Sequence, residues 1–361
     1  ATFIALPHVV VGWTQARTYS VLTTVFASGD TTSTTSSSTT TSNTSATTEP
    51  TATSTTVATT TTSTLPWEGR THLNFLLIGS DAGPGRTGIR TDTVILASVA
   101  LETGDLALFG FPRNLSGVVF SDGTEHRGIL NEVYAYGQSQ PDRFQGTDPG
   151  AAALKEVISG IAGVGIDFHM MVDLQAFVGL VDALGGVTMD IPEPLIDPIY
   201  PHEDGGTISI RIDEGIQELD GTEALAYVRS RRSSNDYDRM ARQRCFLTAV
   251  IDQLDVGQMI RSLPTLLDLV EQNVRTDVPL ERLDDLLDLA VLIDPDDAIV
   301  VGFGPPEWNS GWKPGGYPIP DSERISEAVD LILSDPVGAR EQLSVRDAET
   351  ACSRSTPTEG D

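Results

Sequence analysis

From His72 onward the chain alternates short apolar runs with amphipathic stretches, and the breaks between them set the predicted elements. HLNFLLIG (72–79) is apolar at nearly consecutive positions and ends in Gly, the pattern of a strand covered on both sides. TVILASVAL (93–101) and DLALFGF (105–111) are two further strands, and the Glu-Thr-Gly between them signals a hairpin. Asp148-Pro149 supplies an N-cap and a first-turn proline, so the AAALKEVISGI that follows is a helix. His169–Val172 reads as a strand, Leu174–Leu184 as a helix stopped by Gly185-Gly186, and Val187–Ile191 and Ile208–Ile212 as strands. Asp220 and Thr222 open a helix through ALAYVR, and a longer one is predicted over Asp238–Leu254. Helices near 260–272, 280–292 and 322–334, with a strand at Ala298–Phe303, complete the pattern. Strands alternating with helices predict the α/β class, a central mixed β-sheet flanked by helices on both faces.

Upstream the pattern vanishes. Of the 34 residues from Thr31 to Thr64, 27 are Ser or Thr. Such a segment has too little apolar surface to offset the entropy of ordering, so a disordered stalk is expected. Residues 2–13, TFIALPHVVVGW, are apolar but too few to span a bilayer, which takes about 20 apolar residues. The expected organisation is a remnant of a membrane anchor and juxtamembrane segment over 1–30, a Ser/Thr-rich linker over 31–66, a folded domain over 67–345 and a flexible tail over 346–361.

Charge narrows the function. The 361 residues carry 51 acidic against 23 basic side chains, a net charge of −28. That balance repels nucleic-acid backbones, so no nucleic-acid partner is expected. Lys occurs only at Lys155 and Lys313; the remaining basic side chains are Arg. Six of these, Arg229, Arg231, Arg232, Arg239, Arg242 and Arg244, fall within a window of 16 residues. A guanidinium offers a planar fork of donors suited to phosphate oxygens. Arg239, Arg242 and Gln243 stand at i, i+3 and i+4, one face of the predicted helix near its N-terminus, where backbone N–H groups add to the positive field. Arg229 and Arg231 end the preceding helix, so the intervening loop can fold both sets into one anion pocket. Intramolecular pairing with the acidic surplus is the competing structural reading.

Two further segments belong with the arginines. Gly79-Ser80-Asp81 leaves the first strand and Gly88-Ile89-Arg90-Thr91-Asp92-Thr93 enters the next, so Asp81 and Asp92 are expected at strand ends, where ligands of open α/β sheets collect. Two carboxylates beside a phosphate site suit a hard cation such as Mg²⁺ (or Mn²⁺); a loop in which Asp92 pairs with Arg90 is the alternative. Phe111-Pro112-Arg113-Asn114 places Arg113 past the third strand, near the same rim. There is no GxxxxGK[ST] loop, no HExxH and no GxSxG. The five histidines at 8, 72, 126, 169 and 202 have no ligand spacing and read as structural. Trp308 and Trp312 flank WNSGW, a packed loop before it is a sugar-stacking one.

Taken in order, NFLLIGSD, RTDT, FPRN, LNEVYAYG, VDLQAFVGLVDALGGV, LDGTEALAYVRSR and DRMARQR resemble the LytR–CpsA–Psr family of cell-wall glycopolymer ligases, over about residues 70–255. The resemblance implies transfer of a glycopolymer from a polyprenyl-pyrophosphate carrier to the muramic acid 6-hydroxyl of peptidoglycan, forming a phosphodiester with Mg²⁺ assistance. It implies Asp81 and Asp92 as metal-associated aspartates, and Arg90, Arg113, Arg229, Arg231, Arg239, Arg242 and Gln243 around the pyrophosphate, with Arg90, Arg113 and Asp92 in catalytic roles. It also implies a single-pass membrane anchor, an extracytoplasmic catalytic domain, and the lipid-linked polymer and peptidoglycan as partners. Outside the cytoplasm Cys245 and Cys352 could pair; two free thiols are the alternative. Two other functions fit the same pocket, a polyprenyl-pyrophosphate hydrolase and a non-catalytic binder of polyprenyl phosphate or wall polymer. Metal dependence separates the binder from the enzymes.

Overall fold

The computed structural model describes Trp67 and residues 69–82, 89–202, 206–230, 236–253, 274–294 and 297–343. The predicted anchor and stalk, the predicted helix near 260–272, Arg231, Arg232 and the tail with Cys352 lie outside the described residues.

In chain order the described elements are β1 (His72–Ser80), β2 (Thr91–Ala100), β3 (Leu106–Gly110), α1 (Leu130–Gln138), α2 (Pro149–Ala162), β4 (Phe168–Val172), α3 (Leu174–Ala183), β5 (Val187–Ile191), β6 (Leu195–Pro201), β7 (Thr207–Ile212), β8 (Gly215–Leu219), α4 (Gly221–Arg229), α5 (Asp236–Asp252), β9 (Val274–Thr276), a 3₁₀ turn (Leu280–Arg282), α6 (Leu283–Leu292), β10 (Ile299–Gly302), β11 (Asn309–Lys313), β12 (Tyr317–Pro320), α7 (Ser322–Ser334) and α8 (Pro336–Gln342). The central sheet has the order β10-β3-β2-β1-β4-β9. β1 pairs parallel with β4 and β10 parallel with β3, whereas β1–β2, β2–β3 and β4–β9 are antiparallel. The sheet is mixed, as the sequence pattern predicts.

Its two faces are both covered, which explains the unbroken apolar runs of the central strands. On one face Leu76, Ile78, Leu96 and Phe109 pack with Leu130 and Tyr134 of α1, Leu154 and Ile158 of α2, and Val329 of α7. On the other, Leu73, Ile95, Val99, Leu108 and Val300 meet Leu289 of α6, with Leu247 of α5 against them. A third core joins α3, α4 and α5 to the small pairs β5–β8 and β6–β7 through Val181, Ile191, Leu195, Leu225, Tyr227 and Phe246.

The helix starts obey local chemistry. Asp148 accepts the Ala151 N–H, with Pro149 in the first turn, and Gly163 closes α2 at φ 73°. Asp173 caps α3 through the Ala176 N–H. Asp220 and Glu223 form a reciprocal capping box on α4. α1 and α2 approach so closely that a Cβ at Gly137 would lie 2.5 Å from the Pro149 carbonyl oxygen, and one at Gly150 2.7 Å from that of Tyr134.

Because β1 and β4 run one way and β2 the other, the C-terminal ends of β1, β3, β4 and β10 and the start of β2 share one rim. That rim carries Asp81, Asp92, Arg113 and Asp173.

Candidate active site

The rim is built from backbone outward. At Gly79 the register shifts, and a Cβ there would lie 2.9 Å from that of Thr93, so β1 and β2 close up only because the residue is glycine. The following loop is pinned at both ends by one residue pair. The Asp81 N–H donates to the Arg90 carbonyl at 3.0 Å, and the Arg90 N–H donates to the Asp81 carboxylate at 2.8 Å. Asp92 accepts from Arg113 Nη1 at 2.7 Å, a part-buried pair. Asp92 therefore engages Arg113, not Arg90, whose side chain is exposed. Arg113 is held in turn by its carbonyl, which accepts the Asn131 N–H from the first turn of α1 at 3.0 Å.

The arginine segment comes in from the other side. Arg229 is the last residue of α4, and its guanidinium lies 6.0 Å from the centroid of the Tyr200 ring. Arg239, in the first turns of α5, is 2 % exposed, the bulkiest fully buried side chain among the described residues. Gln243, one turn on, donates to the Val228 carbonyl at 3.1 Å and ties α5 to the end of α4. Arg242 donates to the Ser230 carbonyl and stands 5.8 Å from the Tyr227 ring. Burial pushes the Tyr227 hydroxyl up to about 12, so it stays protonated beside that cation.

Two adjoining cavities bring these residues together. One, about 220 Å³, is polar and lined by Asp81, Asp92, Asp197, Tyr200, Pro201, Arg229 and Ser230. The other, about 170 Å³, shares Asp81, Asp92 and Arg229, adds Arg239 and Gln243, and continues between Ile95, Leu174, Phe177, Leu225, Val228, Phe246 and Leu247. Of the residues named from the sequence, Asp81, Asp92, Arg229, Arg239 and Gln243 line this slot, and Arg113 reaches it through Asp92. Arg242 braces the backbone beside it, and Arg90, exposed, lines neither cavity.

Sequence reasoning did not name Asp173, Asp197, Tyr200 or Ser230. Asp173 follows the C-terminal end of β4, parallel to β1, so the strand-end rule that selects Asp81 also selects Asp173. Burial raises its carboxyl above the usual range. Asp197 and Tyr200 lie in DPIYP, where two prolines mask the strand. Elsewhere, Trp308 is buried against Phe303, while Trp312 is 55 % exposed on β11, so the two tryptophans do not act as a pair. Cys245 is disulfide-bonded.

A larger cavity of about 960 Å³ opens at the opposite end of the sheet, beside Trp67, His72, Leu101 and Arg340. Its arginines are met by acids, Arg70 by Asp167 and Arg340 by Asp297. Volume alone does not identify a site; the smaller slot joins carboxylates, guanidinium groups and an apolar floor.

Among the described residues no group of three or more His, Cys, Asp or Glu side chains could hold a metal ion on its own. Mg²⁺ is commonly held by one or two carboxylates plus substrate phosphates and water, so the pair Asp81 and Asp92 fits that ion and a self-sufficient protein cage is not required.

A mixed α/β sheet whose rim faces a carboxylate- and arginine-lined slot with an apolar floor is the architecture that the comparisons with known proteins recognise. The profile of the LytR_cpsA_psr family matches residues 28–296, and the chain belongs to this family of cell-wall glycopolymer ligases. It is 29 % identical over 210 residues to the polyisoprenyl-teichoic acid–peptidoglycan teichoic acid transferase TagU of Halalkalibacterium halodurans, covering 58 % of this chain and 62 % of the relative. To TagU of Oceanobacillus iheyensis it is 28 % identical over 217 residues, 60 % of this chain and 62 % of the relative. The chain thus spans about three-fifths of the length of these curated relatives. The crystal structure of Bacillus subtilis TagV superposes with a TM-score of 0.56 at 20 % identity, covering 73 % of this chain and 97 % of that one, and shows the fold. Among the described residues no helix is long and apolar enough to cross a membrane.

Proposed function

We propose that the slot binds a polyprenyl-pyrophosphate-linked glycopolymer and that the domain transfers the polymer to peptidoglycan. The observation that carries this reading is the continuity of the polar and apolar cavities through Asp81, Asp92 and Arg229. A pyrophosphate with an isoprenoid tail has that same division: a doubly charged head needing guanidinium and cation partners, and a chain needing only apolar walls. The names of the relatives in Halalkalibacterium and Oceanobacillus describe a polyisoprenyl-linked donor and a peptidoglycan acceptor for those proteins.

In this reading Arg229, Arg239 and Gln243 grip the diphosphate, and Arg231, Arg242 and Arg90 complete its surroundings. The tail lies between Phe177 of α3, Leu225 of α4 and Phe246 of α5. Asp81 and Asp92 would hold Mg²⁺ (or Mn²⁺), which when bound supplies charge neutralisation of the phosphate oxygens. Arg113, paired with Asp92 at the rim, stabilises charge that develops at the phosphorus under attack. The muramic acid 6-hydroxyl oxygen bonds to the polymer-side phosphorus as the bridging P–O bond breaks. Polyprenyl phosphate leaves, and the hydroxyl proton passes to water. Positioning and charge stabilisation supply most of the catalysis in such transfers. The domain works outside the cytoplasm, tethered to the membrane through the Ser/Thr-rich linker 31–66.

The test is transfer of a labelled lipid-linked polymer to isolated peptidoglycan by the full chain. Arg113→Ala and Asp92→Asn are expected to lose at least about 100-fold in rate, and chelation of divalent cations to stop the reaction until Mg²⁺ is returned. Undiminished transfer in both variants would end the proposal. Release of polyprenyl phosphate and phosphorylated polymer without peptidoglycan would instead indicate a hydrolase.

A further inference from the structure

Arg229, the last residue of α4, is approached by β6, whose backbone is irregular at that point. The register of β6 against β7 shifts between Asp197 and Tyr200. In a regular strand, residues three apart point to opposite faces. Here the burial pattern over Leu195–Pro201 shows two consecutive exposed positions, Pro198 and Ile199, so Asp197 and Tyr200 are buried on the same side. A bulge of this kind re-aims side chains beside a site. The Ile199 N–H donates back to Asp197 at 3.3 Å and fixes it locally.

Both re-aimed side chains meet the same corner of chain. Asp197, 4 % exposed, accepts the hydroxyl of Ser230 at 2.7 Å, and Ser230 is equally buried. The Tyr200 ring, 3 % exposed, lies beneath the guanidinium of Arg229. Ser230 is gripped at two more points: its N–H donates to the Ala226 carbonyl at 2.8 Å, and its carbonyl accepts from Arg242. Hydroxyl, amide and carbonyl are thus all engaged, by β6, α4 and α5 respectively. Arg229 is the residue immediately before this locked corner.

We infer that Asp197, Tyr200 and Ser230 form a positioning clamp for Arg229, with the bulge of β6 setting its aim. The inference rests on the proposed reading of the slot as a prenyl-pyrophosphate site. Asp197 acts here as an acceptor that orients the corner. It is not assigned a ligand or proton-transfer role, although it shares the polar cavity with Asp81 and Asp92. A flexible arginine at a helix end loses conformational freedom on binding; one lying over a ring and next to a corner held by a buried carboxylate and a neighbouring helix is already arranged. Misplacement of a binding group by about 1 Å can cost on the order of 100-fold in rate.

The test titrates the full chain with geranylgeranyl pyrophosphate in the presence of Mg²⁺. Wild type is compared with Ser230→Ala, Asp197→Asn, Arg229→Ala and the double variant Arg229→Ala/Ser230→Ala, with thermal melting recorded for each. Ser230→Ala and Asp197→Asn are expected to weaken binding about tenfold. The double variant should bind as Arg229→Ala alone does, since a clamp acting through Arg229 has nothing to hold once the guanidinium is gone. A purely structural lesion adds to the loss of Arg229 and lowers the melting temperature in step with it. Binding by wild type that is unchanged in Ser230→Ala and Asp197→Asn, or losses that add in the double variant, overturn the clamp alone. Wild-type protein that does not bind the probe overturns the reading of the slot as well.

Discussion

Replacing Asp277 by Asn should weaken the fold by about 2 kcal/mol at neutral pH, and the deficit should disappear in acid. Asp277 follows β9 and staples three elements. Its carboxylate accepts from Lys155 Nζ of α2 at 2.9 Å and from the His169 N–H of β4 at 2.7 Å, with His169 Nδ1 3.1 Å away. Lys155 also reaches the Asp167 carbonyl at 2.8 Å. Burial by itself would raise the carboxyl, but the hydrogen bonds and charge of His169, together with Lys155, outweigh it and bring the value from 3.8 to about 2. At about 1.4 kcal/mol per pH unit, that depression corresponds to roughly 2 kcal/mol of stability. The sign follows from the direction of the shift. A carboxyl depressed in the folded state contributes fully above its unfolded value, loses its contribution as the pH falls between about 4 and 2, and contributes nothing below. Urea unfolding of wild type and Asp277→Asn at pH 7, 5, 3 and 2 measures this. Equal stabilities at pH 7, or a difference that persists unchanged at pH 2, would refute the assignment of the staple.

Three other substitutions probe separate parts of the structure. Gly137→Ala forces a Cβ to within 2.5 Å of the Pro149 carbonyl and 2.6 Å of the Ala153 methyl, so it should cost about 1–3 kcal/mol in urea unfolding by prising α1 from α2. Tyr134→Phe removes a hydroxyl that donates to Asp148 at 2.8 Å and accepts from Gln138 and Arg275. The expected loss is about 1 kcal/mol. In wild type that same hydroxyl, pushed up to about 12 chiefly by burial, should remain protonated in an ultraviolet titration to pH 11. Leu225→Trp fills the apolar cavity of about 170 Å³ and should weaken geranylgeranyl pyrophosphate about tenfold while leaving inorganic pyrophosphate binding unchanged. Tenfold is equivalent to losing roughly two buried methylenes.

The parts of the fold legible in the sequence are those where local chemistry and burial agree. Asp148-Pro149, Asp173 and Asp220 cap helices whose apolar faces are well spaced, and α7 spans Ser322–Ser334 as its pattern predicts. The central strands are legible because both their faces are covered. α1 is not, since Ile129 at its N-cap offers no side-chain acceptor and Gly137 interrupts its pattern. β6 and β12 contain prolines that read as loop, yet both pair as two-stranded ribbons at the periphery, where missing N–H donors are tolerated.

The site divides in the same way. Asp81 and Asp92 are legible from their place at strand ends, and Arg229, Arg239 and Gln243 from their density and helical spacing. Side chains supplied by an irregular strand are not: Asp197 and Tyr200 reach the site through a bulge that no periodicity announces. The apolar half of the slot is equally hidden, because Phe177, Leu225 and Phe246 come from three helices and read individually as core.

On the proposed reading, the carboxylate and arginine rim and the apolar slot take the head and tail of one prenyl pyrophosphate. A crystal structure of the chain with geranylgeranyl pyrophosphate and Mg²⁺ tests it most directly. The pyrophosphate is expected between Asp81, Asp92, Arg229 and Arg239, with the prenyl chain among Phe177, Leu225 and Phe246. A pyrophosphate found at the other end of the sheet, beside Arg70 and Arg340, with the slot empty, would contradict it.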